Sequence, residues 1–556
     1  MRPWCRSRLG GLLADAALGL PRTATPYTVE HDVAVPMPDG VTLLASLYRP
    51  AGEPGPQPVV LIRTPYGRDG FSGQVFAAPL ARRGFQVFLQ STRGTFGSGG
   101  QFRPFTTEQD DGLATLDWLR KQSWCDGRVA MTGGSYFGHT QWAVVPYAEP
   151  PLVAFSPHVA AARSSTVLYD HGVPQVQNAL NWSGLIGSQE RGGLRGVLTA
   201  PVLRARAARA LRRLPLQAAD VAVAGAPVPF WRDFVAHARP GDGFWSTADH
   251  DSVDLTALPP ASMVTGWWDL FLRSQLSDFA ALREAGVPAR IVVGPWLHGE
   301  PRELRAIVRS DVAWLDHRLR GGPAPRGKAV RVFLQQAGRW LQFDEWPPAA
   351  ARPVVLHLRA GGGLTEDPAE DGARPSRFRY DPFDPTPSAG GPLLQPPGKQ
   401  VDNRAIEARP DVLTFTGVPL PTDLDLVGPV RARVYVRPEL EHADVFVRLC
   451  DVDPGGVSRN VVDGIRRLDP RTVPAPDVSL GADRVLAVDV ELFPTAYRIG
   501  AGHRLRLQVS GGAFPRFARN LGTAEPFGTA TTGRAGTVEV FHDAACPSQL
   551  RLSVLR

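Results

Sequence analysis

Residues 131–138, Met-Thr-Gly-Gly-Ser-Tyr-Phe-Gly, decide the fold. They follow a short apolar run, Arg128-Val129-Ala130-Met131, and precede Thr140-Gln141-Trp142-Ala143-Val144, which reads as a helix. A serine among small residues, where a strand hands over to a helix, is the arrangement of a nucleophile elbow. The sharp turn lifts the hydroxyl off the backbone, and Gly133 and Gly134 remove side chains that would clash. Only half of the common G-x-S-x-G spacing is met: Gly133 fits, Phe137 stands where the second glycine belongs, and Gly138 comes one residue later. Read alone, Gly-Gly-Ser also suits an ordinary tight turn, so the surrounding chain has to decide.

Around this stretch the sequence alternates strands with helices. Residues 27–49 alternate polar and apolar about Pro38-Asp39-Gly40, an antiparallel hairpin whose turn is set by Asp-Gly. Short apolar or β-branched runs follow at 58–62, 85–89, 129–131, 263–265 and 291–293, separated by helical patterns. That order predicts an α/β protein, a mostly parallel buried sheet with helices on both faces, whose ligands sit at the carboxyl ends of the strands. From about 155 to 255 an Ala-, Leu- and Arg-rich segment reads as a helical insertion, placed where it could form a lid. Beyond about 320, short alternating strands such as 430–436, 445–449 and 505–509 carry the signature of a β-sandwich. In the Pro/Gly-rich tract at 365–400, Phe378, Tyr380 and Phe383 suggest an extended strand packed over a surface rather than a free linker.

Composition excludes several classes. A chain of 556 residues exceeds one core, and 43% hydrophobic with 21% charged residues is that of a soluble globular protein. The formal charge of +7 is nearly all arginine, since the only lysines are Lys121, Lys328 and Lys399. Arg204, Arg206, Arg209, Arg212 and Arg213 are spaced like the solvated face of a helix, so neither nucleic acid nor membrane is expected as a partner. The cysteines, Cys5, Cys125, Cys450 and Cys546, form no C-x-x-C pair and imply neither a disulfide framework nor a zinc site. No run approaches the roughly 18 apolar residues of a membrane span. At the N-terminus Arg2, Arg6 and Arg8 precede an apolar stretch, 9–20, that Asp15 interrupts and no crisp cleavage site follows. A short amphipathic leader helix and a cytoplasmic protein are expected, with secretion as the alternative.

A nucleophile needs a base and a group to orient it, delivered from other strand ends. The run at 263–265 leads into Gly266-Trp267-Trp268-Asp269, and that at 291–293 into Gly294-Pro295-Trp296-Leu297-His298. Ser135, Asp269, His298 is the chain order of an α/β-hydrolase triad. His298 would take the Ser135 proton and return it to the leaving group, while Asp269 fixes the imidazole tautomer. Either residue alone is more often a turn residue or a structural histidine; three in order, each directly after a core strand, are hard to assign to chance. Transition-state charge also needs donors. The Tyr136 amide, next after the serine, is one candidate. The Tyr66 hydroxyl, in the loop after 58–62, is a second, though a surface turn tyrosine would look the same.

Several segments together resemble the cocaine esterase and X-prolyl dipeptidyl peptidase family of serine hydrolases, the CocE/NonD type. They are Met37–Val41, Thr64-Pro-Tyr-Gly-Arg68, Thr92-Arg-Gly94 with Gly97-Ser98, Trp124–Val129, Gly133–Gly138, Gly266–Asp269 and Gly294–His298. In the C-terminal half, Asp451–Pro454, Asp463-Gly464, Gly502–Arg506 and Asn520 continue the likeness. The family elbow is G-x-S-Y-x-G, which absorbs Phe137. The resemblance implies Ser135, Asp269 and His298 as triad, and Tyr66 with the Tyr136 amide as oxyanion donors. It implies an α/β-hydrolase core over 28–154 and 256–325, a helical cap over 155–255, and an all-β jelly roll over 326–556. One departure stands out: where the family has Asp-x-Arg-Gly, this chain has Ser91-Thr92-Arg93-Gly94, so the support of Arg93 is expected to differ.

The expected function is hydrolysis of esters, or amides, of apolar or aromatic acyl groups through an acyl-enzyme. Trp267, Trp268, Trp296, Phe244 and Trp245 are the candidate pocket, although aromatics are equally often core. The chemistry calls for no metal and no cofactor. The partner is a small ester or short peptide, and a homodimer is left open. An X-prolyl dipeptidyl peptidase or α-amino-acid ester hydrolase is the alternative; such relatives hold a substrate ammonium with carboxylates, and neither Asp170 nor Glu190 is clearly placed for that. A non-catalytic binding protein using the β-sandwich is the alternative of another class.

Overall fold

The computed structural model describes residues 11, 15–20, 25–52, 55–188, 194–238, 242–394, 398–471, 475 and 478–555. The chain forms two compact units. The first runs to Ser165 and resumes over Gly243–Arg331; the second joins Thr166–Ser188, the stretch ending at Asp242, and the chain from Val332 onward.

In the first unit the strands are β1 (Tyr27–Pro36), β2 (Thr42–Pro50), β3 (Gln57–Thr64), β4 (Gln86–Ser91), β5 (Cys125–Gly134), β6 (Ala154–His158), β7 (Ala261–Trp268) and β8 (Ala289–Leu297). They lie in the order β1-β2-β4-β3-β5-β6-β7-β8. β1 and β2 form the expected antiparallel hairpin, closing at Pro36↔Thr42 around Gly40 at φ 83°. From β4 onward all pairings are parallel. Helices α1 (Glu108–Arg120), α2 (Tyr136–Trp142), α3 (Leu272–Glu284) and α4 (Pro301–Arg320) cover the sheet. With both faces covered, the central strands are deeply buried, β4 and β7 at every residue, which is why they read as apolar runs.

β6 has no counterpart among the expected strands, because the insertion was expected to begin at 155. Pro157 and His158 hide it. Proline cannot donate to a ladder, yet Pro157 sits in register with Gly133 in a fully buried parallel strand. At the N-terminus, residues 1–10 and 12–14 lie outside the described residues. Asp15, the interruption in the apolar stretch, is fully buried and accepts from Arg82 Nη2 at 2.6 Å and Arg83 Nη1 at 3.3 Å.

The second unit is mostly strand. Arg431–Val436 alternates buried with partly or fully exposed residues, and Ala443–Val452 pairs antiparallel with both Ser458–Leu468 and Arg504–Ser510. Ser376–Tyr380 pairs with Gly536–Phe541 and buries Phe378 and Tyr380. The expectation for Phe383 needs correcting: it lies beyond the paired segment and is 62% exposed.

The insertion folds with these strands, and it is not all helix, since Tyr169–Asp170 pairs antiparallel with Val173–Pro174. Val173 shares a core cluster with Phe446, Ile465, Ala513 and Phe517. Gly528 donates nothing but space, since a Cβ there would lie 1.9 Å from Val235 Cγ1, and its carbonyl accepts from Gln217 N–H at 2.9 Å. Arg206, Arg209, Arg212 and Arg213 are exposed while Ala207, Ala210 and Leu211 are buried, the pattern of a helix with one solvated face. Among the described residues no helix is long and apolar enough to cross a membrane, and Cys125, Cys450 and Cys546 are free thiols; Cys5 lies outside them.

The departure at Ser91 acts on a different arginine from the one expected. Arg93 is well held: Nε and Nη2 donate to Asp111 at 3.0 and 2.6 Å, and Nη1 to Asp39 in the β1–β2 turn at 2.7 Å. Ser91 Oγ instead lies 3.4 Å from Nη1 of Arg68, which is 8% exposed. The carboxylate that Arg68 reaches is Asp32, at φ 56° in the bulge between Glu30 and Val33. Ser91 is fully buried, so a carboxylate there must itself be desolvated, but Arg68, already buried with Nη1 3.4 Å from Ser91 Oγ, is placed to pair with it and offset that cost. Ser91→Asp is therefore expected to raise the thermal midpoint by about 2–4 °C, the shift of roughly 1 kcal/mol in a domain of this size. A lower midpoint by calorimetry would mean Asp32 alone satisfies the guanidinium.

Candidate active site

β5 ends at Gly134, and Ser135 turns the chain into α2 with φ 63° and ψ −127°, a region that a residue with a Cβ rarely occupies. The Ser135 amide donates to His158 O in β6 at 2.9 Å, which holds the turn from the next strand. The glycine spacing now has a cause. A Cβ on Gly133, at φ 140°, would fall 2.5 Å from Phe137 Cβ, and one on Gly138 would fall 2.3 Å from Ala160 Cβ. The closest approach of α2 to the chain leaving β6 is thus at 138 rather than 137. Phe137 is free to pack between Tyr66 and Phe76, with ring centroids 5.7 and 5.1 Å away.

His298 comes from the loop after β8, whose register shifts between Gly294 and Leu297. Trp296 drives that bulge. Its ring occupies the space of a Cβ on Gly294, 2.4 Å away, and its carbonyl lies 2.3 Å from where a Cβ on Gly266 would be. Two glycines on neighbouring strands therefore let Trp296 fold inward and aim residue 298 at the strand ends. Asp269 follows β7, fully buried, with Oδ1 accepting from Phe271 N–H at 2.8 Å.

The three side chains lie in series. His298 Nδ1 is 2.7 Å from Asp269 Oδ2, and His298 Nε2 is 3.1 Å from Ser135 Oγ. A carboxylate only accepts, so the Nδ1 proton belongs to the histidine and Nε2 is left to accept from the serine. His298 is 10% exposed at its side chain, and the half-buried Phe271 ring lies 5.6 Å from it.

A buried polar network backs the elbow. Tyr136 Oη donates to Glu108 Oε1 and accepts from Phe105 N–H at 3.0 Å, while Arg63 Nη1 donates to Glu108 O at 2.7 Å. Burial raises the Glu108 carboxyl, and burial with the adjacent Glu108 charge pushes the Tyr136 phenol well up, so Tyr136 stays a neutral donor. Burial likewise pushes His139, on α2, well below the usual imidazole range. Tyr66 is half-buried in the loop after β3, its amide donating to Thr64 Oγ1 at 3.0 Å.

The aromatic residues expected to line a pocket separate into two groups. Trp267, Trp268 and Trp296 are 3%, 5% and 6% exposed, and Trp296 fills the space over Gly266 and Gly294. Trp245 is also buried, but its ring lies 6.2 Å from Phe105, which lies 5.3 Å from Tyr136; Phe244, beside Trp245, is half-buried.

Three groups at the site went unseen in the sequence: the His158 carbonyl, the Phe271 amide and Glu303. The second had a signal, since an Asp side chain commonly accepts from the amide two residues on. So had the third, because Pro301 at the start of α4 and Glu303 two residues later make a helix-start pattern. Among the described residues, Asp269, His298 and Glu303 also form a grouping with metal-ligating reach, their ligand atoms all within 4.8 Å.

A buried parallel sheet of hydrolase type, carrying a strained serine with an imidazole and a carboxylate behind it, defines the class as the serine hydrolases. Comparison with known proteins agrees. Residues 39–300 match the X-Pro dipeptidyl-peptidase (S15) family, and residues 325–551 match the X-Pro dipeptidyl-peptidase C-terminal non-catalytic domain. Over 540 residues the chain is 31% identical to the cocaine esterase of Rhodococcus sp. (strain MB1 Bresler), covering 89% of this chain and 93% of that one. An aminopeptidase from a marine sediment Thaumarchaeota archaeon has a similar fold, with a TM-score of 0.80, 24% identity, and coverage of 97% and 99% of the two chains. An α-amino acid ester hydrolase superposes with a TM-score of 0.76 at 23% identity, covering 96% and 98%. The chain belongs to the cocaine esterase and X-Pro dipeptidyl-peptidase family of serine hydrolases.

Proposed function

We propose that this serine hydrolase cleaves esters of apolar or aromatic acids through an acyl-enzyme on Ser135. The observation that carries the reading is the unbroken series Ser135–His298–Asp269, at 3.1 and 2.7 Å. In the first step Ser135 Oγ bonds to the ester carbonyl carbon while His298 Nε2 takes its proton; Asp269 stabilises the imidazolium. The carbonyl oxygen becomes an oxyanion held by the Tyr136 amide and the Tyr66 hydroxyl. Collapse breaks the bond to the alkoxy group, which leaves as an alcohol with the proton from His298. Water then repeats the sequence on the acyl-serine, releasing the acid and restoring Ser135.

Half-buried aromatic groups beside the series, Phe271 at His298 and Tyr66 at Phe137, support an apolar or aromatic acyl group. The identity to a cocaine esterase supports ester over amide. The match to the X-Pro dipeptidyl-peptidase family makes peptide cleavage the second reading. Asp170 is 3% exposed, poorly suited to meet a substrate ammonium, and Glu190 lies outside the described residues.

p-Nitrophenyl acetate, butyrate and benzoate, measured beside Ala-Pro and Gly-Pro p-nitroanilides, decide between the two. Esters are expected to turn over at least about 100-fold faster in kcat/KM. Anilide turnover equal to or above the esters would replace this reading with a peptidase. Tyr66→Phe is expected to lower kcat on the order of 10²-fold, the loss of one oxyanion donor. An unchanged rate removes Tyr66 from the site.

A further inference from the structure

Helix α4 presents Glu303, Ile307 and Asp311 at four-residue intervals, all buried on one face. Two of the three are carboxylates, an uncommon choice for the inward stripe of a helix, where burying a charge is costly unless it is paired. Both have partners, and the partners lead to the two ends of the proposed proton transfer. Glu303 Oε2 accepts from the amide of Gly299, the residue after His298, at 2.6 Å. Two turns on, Asp311 Oδ1 lies 2.8 Å from His158 Nε2, in a pair with both side chains within 3% of full burial. His158 is the residue whose carbonyl holds the Ser135 amide. Between them, Ile307 Cδ1 comes within 3.4 Å of where a Cβ on Gly134 would stand, directly under the elbow.

One rigid element is therefore tied to the residue after the base, to the residue holding the nucleophile's amide, and to the elbow itself. Glu303 and Asp311 are separated by two helical turns, about 12 Å along an axis that does not stretch.

We propose that Glu303 and Asp311 are positioning residues: through them α4 acts as a spacer that fixes the separation of Ser135 Oγ and His298 Nε2. The inference rests on the triad reading above. A Ser–His hydrogen bond tolerates little displacement, and a misplacement of about 1 Å can cost on the order of 10²-fold in rate. Without an acceptor at 303 the Gly299 amide loses its 2.6 Å partner, and the loop carrying His298 loses its tie to α4. The substrate's own contacts are untouched, so kcat falls while KM stays.

The test compares Glu303→Leu, which removes the acceptor at similar volume, with Glu303→Gln, whose amide oxygen can still accept from Gly299. On p-nitrophenyl butyrate, Glu303→Leu is expected to lose about 10²-fold in kcat at unchanged KM, and Glu303→Gln to stay within about fivefold of the parent. Asp311→Leu is expected to lose about tenfold, again in kcat alone. Should Glu303→Leu not fold, Glu303→Met removes the same acceptor with a more adaptable side chain. A folded Leu or Met variant with kcat within twofold of the parent overturns the proposal, as does a KM that rises as far as kcat falls. Ser135→Ala is assayed alongside. If it keeps its activity the triad reading itself fails; if it is inactive while Glu303→Leu turns over normally, only the spacer role is lost.

Discussion

Ser135→Ala is expected to lower kcat by five to six orders of magnitude on any ester the enzyme accepts, with no loss of thermal stability. The substitution removes one atom, Oγ, whose partner is His298 Nε2 at 3.1 Å. The backbone strain at φ 63° is unchanged, because alanine and serine both carry a Cβ. Members of a triad act as a unit, so removing either the nucleophile or the base costs nearly all of the chemistry. What survives is the rate that the oxyanion donors and substrate binding give to a water molecule, about 10³–10⁴ over solution. His298→Ala should fall as far in kcat but behave differently in stability. It strips the Nδ1–H partner from a fully buried Asp269 carboxylate, and such a loss costs about 1–3 kcal/mol or more for a charge. The pair of variants therefore separates chemistry from folding. Steady-state assays, serine labelling by a fluorophosphonate and calorimetry read the three quantities. Activity above about a tenth of the parent in either variant means that Ser135 is not the nucleophile or His298 not its base.

Much of this site could be read from the chain because each of its parts is local. A strand buried on both faces writes itself as a run such as Pro58–Ile62, and a residue placed directly after such a run sits at the ligand-binding edge. That logic picks out Ser135, Asp269 and His298, whose side chains lie in a hydrogen-bonded series in the fold. It failed at β6, where Pro157 and His158 break the apolar pattern although the strand is central. It could not sort the aromatics, because a tryptophan filling the gap over Gly266 and Gly294 and one lining a pocket look alike in sequence; only the backbone approach at those glycines separates them. In the second unit the strands at 430–436, 445–449 and 505–509 were legible, but the fold of the insertion with them was not. The insertion buries Val173, in a short strand, and Val235, on a helix, against residues more than 250 positions away, Phe446 and Gly528 among them, and no local period reports a partner at that distance. Arg93 and Arg68 show the same limit: the family pattern identified the missing carboxylate at 91, but not which guanidinium it faces.

Asp269→Asn carries the second-largest expected effect, a fall in kcat of about 10³–10⁴ with the fold intact. The size follows from the amide of Phe271. Asp269 uses Oδ1 to accept from Phe271 N–H at 2.8 Å and Oδ2 to accept from His298 Nδ1 at 2.7 Å. An asparagine has one oxygen and one NH₂ for these two positions. If the NH₂ faced Phe271, two donors would meet in a fully buried place, so the oxygen is held there and the NH₂ faces His298. Nδ1 must then accept, which puts the imidazole proton on Nε2, the nitrogen 3.1 Å from Ser135 Oγ. The base would already be protonated on the side where it is meant to take a proton, although no heavy atom has moved. Asp269→Ala lacks this lock: the imidazole is less well oriented but keeps access to the productive tautomer. The asparagine variant is therefore expected to be no faster than the alanine variant despite being the closer isostere. An asparagine variant within tenfold of the parent in kcat, or well above the alanine variant, would show that the Phe271 amide does not fix the orientation of residue 269.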